Sequence, residues 1–232
     1  MNTPSVSTPT RSQTIPSTST STKQTGVVSR GKQVVALDCE MVGVGTNGSR
    51  SALARVVVVD GAGRVVLDEH VKPKEKVTDF RTKVSGVTRA DLTTSCIGFS
   101  EANASVASLI KDKVLVGHGL ENDLKALMLS HPMRDTRDSA LYPPLLGNWK
   151  ARYGGARKLK DLAKQHLDRC IQVEGAPHDP AEDARSALDL YKKFAKDWDA
   201  WSVKNSRKAR QRLNRRRYVR TCTVHTYIHT YI

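Results

Sequence analysis

Val34-Val35-Ala36-Leu37-Asp38-Cys39-Glu40 decides the reading of this chain, because an apolar run ends there in two carboxylates one residue apart. An unbroken stretch of Val, Ala and Leu, free of Gly and Pro, predicts a strand buried on both faces. Side chains two apart on a strand leave from the same face. Asp38 and Glu40 therefore point together into one site while Leu37 and Cys39 pack behind it. Two like charges at that spacing repel unless a cation lies between them. The alternative is a chance Asp-x-Glu at a wet strand end, and the rest of the chain weighs against it.

Outward from this stretch, Gln33 to Val42 reads as the first strand, followed by a Gly-rich loop through Gly43, Gly45 and Gly48. A second strand runs from Ala52 to Asp60 and contains Val56-Val57-Val58-Val59; Gly61-Ala62-Gly63 is a hairpin signal, and Val65 to Val71 returns. The spacing of Ala102, Val106, Leu109 and Ile110 predicts a helix over Ser100 to Lys111, leading into a short strand at Val114 to His118. A helix from about Leu120 to Leu129, a strand at Arg134 to Leu141 and a helix at Leu159 to Leu167 follow. A long helix opens at Pro180 and runs to about Trp201, with Ala184, Ala187, Leu188 and Tyr191 on one stripe. Trp149, Trp198 and Trp201 read as core or helix-surface packing. An antiparallel meander followed by strand-helix units makes an α/β fold, a mixed sheet with helices packed on it.

The 232 residues carry a net charge of +15, unevenly spread. Residues 1–32 hold four basic and no acidic residues and residues 203–232 hold nine and none, which leaves residues 33–202 at +2. The predicted organisation is a disordered Ser/Thr-rich leader (1–32), one domain (33–202) and a disordered basic tail (203–232). Basic flanks attract polyanions by counterion release without choosing a sequence, which favours nucleic acid over a small neutral ligand. Four scattered cysteines with no Cys-x-x-Cys pair predict neither a disulfide framework nor structural zinc. No apolar run approaches membrane-spanning length, so no membrane partner is expected. The leader's Arg11 and Lys23 leave a mitochondrial address open, although Pro4, Pro9 and Pro16 interrupt an amphipathic helix. The closing Thr226-Tyr227-Ile228-His229-Thr230-Tyr231-Ile232 repeat reads as translated simple sequence rather than a functional tail.

Two further acids sit where strand-to-helix geometry delivers side chains to one place. Asp123 falls near the start of the helix after Gly117-His118-Gly119, and Asp183 in the first turn of the last helix, in His178-Asp179-Pro180-Ala181-Glu182-Asp183. Taken singly, each could be a first-turn charge complementing a helix dipole. Jointly, Asp-x-Glu, the second-motif Asp and His-x-x-x-x-Asp resemble the DEDDh exonuclease pattern. The blocks Ala36 to Gly43, Leu53-Ala54-Arg55-Val56, Val71-Lys72-Pro73, Thr78 to Val87, Leu115-Val116-Gly117-His118 and Glu182-Asp183-Ala184-Arg185 are similar to the RNA exonuclease 4 and interferon-stimulated exonuclease branch of that superfamily. Phe80 stands where the branch pattern carries Tyr, a loss of one hydroxyl.

That resemblance implies a ribonuclease H-like fold with a mixed five-stranded sheet and a 3′-5′ exonuclease that releases 5′-mononucleotides from RNA 3′ ends. It implies work on pre-ribosomal RNA in the nucleus or nucleolus, the mitochondrion and cytoplasm being the alternatives. It also implies that Met41 and Arg81 approach the terminal ribose, where a 2′-hydroxyl contact favours RNA over DNA; a core Met and a surface Arg are the other readings. The physical reading agrees, since in-line hydrolysis of a phosphodiester needs charge neutralised on the attacking and the departing oxygen. Two divalent cations, Mg²⁺ or Mn²⁺, do this with oxygen ligands. Asp38, Glu40, Asp123 and Asp183 are the predicted ligands, and His178 is the candidate general base for the attacking water. The basic run Arg207 to Arg217 reads as a nuclear localisation signal or an RNA-binding arm. The competing functions are the same chemistry on single-stranded DNA in repair, and a non-catalytic RNA-binding ribosome-assembly factor.

Overall fold

The computed structural model describes the backbone of residues 31–148 and 155–228 and side chains as far as residue 207. Most of the leader (1–30), Trp149 and the last four residues of the terminal repeat lie outside the described residues. Seven strands form one sheet: β1 (Val34–Val44), β2 (Arg50–Asp60), β3 (Val65–Lys72), β4 (Val77–Asp79), β5 (Cys96–Gly98), β6 (Val114–Gly117) and β7 (Thr136–Asp138). The order is β5-β3-β2-β1-β6-β7, with β4 pairing against the end of β1. β1, β2 and β3 are the antiparallel meander expected from the hairpin signal, whereas β6 pairs parallel to β1 and β7 parallel to β6. The mixed α/β sheet agrees with the expectation, but among the described residues it has seven strands where five are expected. β4 and β5 are three residues each, too short for alternation to show in the sequence.

Among the described residues the helices are α1 (Thr82–Ser85), α2 (Asp91–Thr94), α3 (Phe99–Ile110), α4 (Leu120–Ala126), α5 (Pro143–Leu146), α6 (Leu159–Leu167) and α7 (Pro180–Ile228). α4 stops short of Leu129 because Met128 turns to φ 54° and the Leu129 amide bonds back to the Leu124 carbonyl. The expected strand over Arg134 to Leu141 shrinks to β7, since a 3-10 turn occupies Met133–Asp135 and the chain turns again after Asp138. α7 is 49 residues long and passes well beyond Trp201, so the backbone expected to be disordered after residue 203 continues as helix. From residue 203 to 228 there is no Pro or Gly to stop it, and Arg, Lys, Gln and Leu are good helix formers. Lys32, placed in the leader, is tied to Asp135 at 2.8 Å.

Strand alternation divides the core between the two faces of the sheet. Ala36, Val57, Val59, Val114 and Val116 face Leu159 and Leu162 of α6 and Ala184, Leu188, Tyr191 and Trp198 of α7. Val35, Leu37, Val56, Val58 and Leu115 face Ala102, Val106 and Ile110 of α3 and Leu120 of α4. Val56 to Val59 are therefore all apolar because both faces are covered. Trp198 is fully buried and stacks on Tyr142 at 4.2 Å, with Trp201 edge-on to the same ring at 5.5 Å. Leu188, 1% exposed, anchors α7, and Leu188→Ala is expected to cost about 2–5 kcal/mol. Among the described residues, no helix is long and apolar enough to cross a membrane.

Candidate active site

β1 lies at the centre of the sheet and carries Asp38 and Glu40 toward the α7 face, in register with Val57 and Arg55 of β2. Just beyond Glu40 the register slips, Met41 pairing with Leu53 so that Ala54 is an extra residue on β2. Bulges of this kind commonly re-aim side chains beside active sites. α7 begins at Pro180, which is suited to a first helical position, and its first turn brings Asp183 up to β1. Asp123 arrives from α4, which follows β6 after a tight approach: a Cβ on Gly117 would stand 2.9 Å from the Leu37 carbonyl oxygen and 2.4 Å from a Leu120 methyl. Only Gly lets β6 turn there against the carboxylate strand.

The charges of Glu40, Asp123 and Asp183 all reach Asp38. Glu40, Asp123 and Asp183 are 6%, 5% and 3% exposed, and Asp38 is half-buried. Burial pushes the Asp38 carboxyl well above its usual range, and the charges of Asp123, Asp183 and Glu40 push it further. Glu40 rises to about 8, through burial and then Asp183, with Arg55 opposing. Asp123 rises to about 7 and Asp183 to about 6, both chiefly through burial. Each of these groups is held in a form that wants a proton or a cation. Arg55 offsets Glu40 only in part, its guanidinium being paired bidentately with Asp68 at 2.8 Å.

Asp183 shows the same demand in bonding terms. Its Oδ2 accepts from Gln172 Nε2 at 2.7 Å, while its buried Oδ1 has no hydrogen-bond partner. An unpartnered carboxylate oxygen beside three others is the donor set of a hard divalent cation. The residues thus fit Mg²⁺ or Mn²⁺ in kind. Among the described residues no three such groups are already gathered at ligand spacing, so the acids share a site without being closed around an ion. His178 places Nδ1 3.8 Å from Asp183 Oδ2, beyond hydrogen-bond length, and its own amide is pinned to the Val84 carbonyl at 2.9 Å.

A cleft of about 970 Å³ opens beside Asp38 and Asp123, with Met41, Phe99, His118 and Met128 also in its wall. Glu40, Asp183 and His178 are outside that wall, on the α7 side of Asp38. Met41 therefore lies in the cleft wall. Arg81 does not line the cleft: its guanidinium donates to Ser51 Oγ and the Gly48 carbonyl, both at 2.9 Å, from a backbone at φ 52°. It ties the β1–β2 connection at Gly48 to the start of β2, where Ser51 does line the cleft.

Two supporting residues escaped the sequence reading. Asp138, 7% exposed at the end of β7, accepts from the amides of Gly119 (2.8 Å), Leu120 (3.0 Å) and Ala140 (2.9 Å). It caps α4 from a distance and so fixes the helix that carries Asp123. Gln172 stands in a loop at φ 52° with no periodicity to announce it. A carboxylate directly before the turn Ser139-Ala140 was the one legible signal for Asp138. Cys39, between the two strand acids, bonds to Asp123, and burial raises its thiol well above the usual range.

A family model described as Exonuclease (RNase_T) matches residues 35–191. RNA exonuclease 4 of Mycosarcoma maydis is 49% identical over 165 residues, covering 71% of this chain and 43% of that protein. RNA exonuclease 4 of Saccharomyces cerevisiae is 43% identical over 159 residues, covering 68% and 53%. The chain spans about two fifths of the length of the first curated relatives it matches, 43% and 40%. Among solved structures, the pseudoubiquitin hydrolase-RNA exonuclease module of Saccharomyces cerevisiae Pan2, in complex with AAUUAA RNA, is similar with a TM-score of 0.61 and 27% identity over 78% of this chain and 32% of that one.

Proposed function

The chain belongs to the RNase_T exonuclease family, and from that premise we propose that it shortens RNA from the 3′ end, releasing 5′-mononucleotides one at a time. The observation that carries the reading is that burial raises the proton affinity of Asp38, Glu40, Asp123 and Asp183, with the neighbouring acids raising Asp38 and Glu40 further, while Asp38 and Asp123 line the cleft. These four residues would hold two divalent cations. When bound, such ions neutralise charge on the attacking and leaving oxygens of the scissile phosphate. Asp183 keeps Oδ1 free for this work because Gln172 occupies only Oδ2. His178, fixed through its amide and with Nδ1 3.8 Å from Asp183, takes the proton of the attacking water. Met41 packs against the terminal ribose, and Arg81 shapes that pocket at one remove by holding Ser51.

The similarity to RNA exonuclease 4 proteins supports RNA as substrate. Pre-ribosomal RNA, a nuclear or nucleolar location and a targeting or RNA-binding role for Arg207 to Arg217 are parts of the same proposal. Single-stranded DNA is the alternative substrate. The test is side-by-side degradation of labelled RNA and DNA with Mg²⁺ and with Mn²⁺: shortening from the 3′ end, faster on RNA, supports the reading, and inert strands with every metal refute it.

A further inference from the structure

The block Thr78 to Val87 joins the rim of the cleft to the loop that carries His178. At the rim, Arg81 holds Ser51 and Gly48, and Thr78 Oγ1 donates to the Gly45 carbonyl at 2.8 Å and accepts from the Gly48 amide at 3.0 Å. At the far end the Val84 carbonyl accepts from the His178 amide at 2.9 Å. Gly86, at φ 69°, lies against the same loop, where a Cβ on it would stand 3.3 Å from Pro177 Cβ. Between these ends is the single turn of α1, and four residues make too few helical hydrogen bonds to hold themselves in shape. Two hydroxyls close it instead. Ser85, 3% exposed, donates to the Phe80 carbonyl at 2.9 Å and accepts from the Val87 amide at 3.2 Å. Thr82, at the surface, donates from Oγ1 to the Val87 carbonyl at 2.7 Å. Beneath the turn, Phe80 and Val87 pack with Val42 of β1 and Ala54 of β2, which seats it on the sheet.

We propose that Ser85 and Thr82 are positioning residues for His178: their hydroxyls fix the α1 turn, and the turn fixes the backbone from which His178 reaches the attacking water. The inference rests on the exonuclease reading above, in which His178 takes that proton. The His178 ring stands 3.8 Å from Asp183, beyond hydrogen-bond length, so the backbone bond to Val84 is what locates the residue. A general base acts only within about 2.6–3.2 Å of the proton's heavy atom. A small shift of the loop therefore slows proton transfer while the cleft wall, on the other side of Asp38, keeps its hold on RNA. Ser85 and Thr82 act on the rate of the chemical step and not on substrate affinity.

The test combines cleavage of a labelled single-stranded RNA by the full chain with Mg²⁺ or Mn²⁺ and hydrogen exchange at the His178 amide in metal-free buffer. Ser85→Ala and Thr82→Val should each lower kcat about tenfold, leave KM within about twofold and speed exchange at His178. Thr82→Val is isosteric and at the surface, so it keeps the fold even where the buried Ser85→Ala does not. Thr82→Ser retains the hydroxyl and should restore both kcat and slow exchange. Placed in a His178→Ala background, Ser85→Ala or Thr82→Val should cost less than about twofold more, whereas a defect acting elsewhere in the site multiplies with the loss of the base. An unchanged kcat in Thr82→Val, a rise in KM alone, or a full tenfold loss persisting in the His178→Ala background would overturn the assignment. Faster exchange at His178 in variants of a wild type that never shortens RNA with Mg²⁺ or Mn²⁺ refutes the exonuclease reading and keeps the placement of His178; shortening by wild type with exchange unaltered in both variants refutes the positioning role alone.

Discussion

Replacing Asp138 by Ala tests whether the active site is held together from the far edge of the sheet. Asp138 touches no reacting group, yet its carboxylate satisfies three backbone amides, two of them at the start of the helix that bears Asp123. Each buried amide left without a partner costs about 1 kcal/mol or more. Removing a buried carboxylate returns part of its own desolvation cost. The net loss is therefore about 2–4 kcal/mol. At about 2–4 °C per kcal/mol for a domain of this size, Tm in metal-free buffer falls by about 5–15 °C. With its cap gone, α4 can shift, and a misplacement on the order of 1 Å at Asp123 costs roughly a hundredfold in kcat. Asp138→Asn keeps one accepting oxygen and should lie between Ala and wild type on both scales. Thermal unfolding and single-turnover cleavage of a labelled RNA measure the two effects separately. A Tm within 1 °C of wild type together with kcat within about twofold would refute the positioning argument.

Glu40→Gln should lower kcat by about a hundredfold or more, since charge stabilisation by metal ions is worth several kcal/mol. The same variant should melt higher than wild type at pH 8 without metal, because one of several mutually repelling charges is gone; a lower Tm there contradicts the repulsion argument. Glu40, Asp123 and Asp183 hold protons more tightly folded, near 8, 7 and 6, than unfolded. Their contribution to stability is then full below their ordinary values and is lost as pH rises through the folded ones. Mn²⁺ at about a hundred times its Kd should raise Tm by roughly 5–10 °C at pH 8 and by much less at pH 5, and equal shifts at the two pH values would contradict the site. Arg81→Ala should slow RNA and DNA cleavage in similar proportion, because its guanidinium braces Ser51 and Gly48; selective loss on RNA would instead restore a direct ribose contact. Deleting residues 203–232 should abolish nuclear accumulation of a fluorescent fusion, and a protein that stays nuclear removes that proposal.

What could be read from the sequence was local. Asp38 and Glu40 declared themselves by strand period, Asp183 by its place in a first helical turn, and the meander by Gly61-Ala62-Gly63 between apolar runs. The two-sided core was visible as an unbroken Val56 to Val59. Features set by long-range contacts were not visible. Asp138 meets amides 18 and 19 residues away in the chain, and Gln172 reaches Asp183 from an aperiodic loop. β4 and β5 pair over too few residues to show a period. Arg81 carried a family motif, but which oxygens its guanidinium meets is decided by the turn at Gly48, which no local pattern encodes. α7 runs on beyond Trp201 through a segment without Pro or Gly, whose basic composition alone reads as a disordered tail.

The central claim is metal-dependent removal of nucleotides from a 3′ end by the carboxylate cluster. The most direct measurement is degradation of a 5′-labelled single-stranded RNA by wild type and by Asp38→Ala, with Mg²⁺, with Mn²⁺ and with EDTA. The account predicts a ladder that shortens from the 3′ end, present with either metal and absent with EDTA and in Asp38→Ala. Intact RNA with folded wild-type protein under both metals, with binding retained, would contradict it and leave an RNA-binding assembly factor in its place.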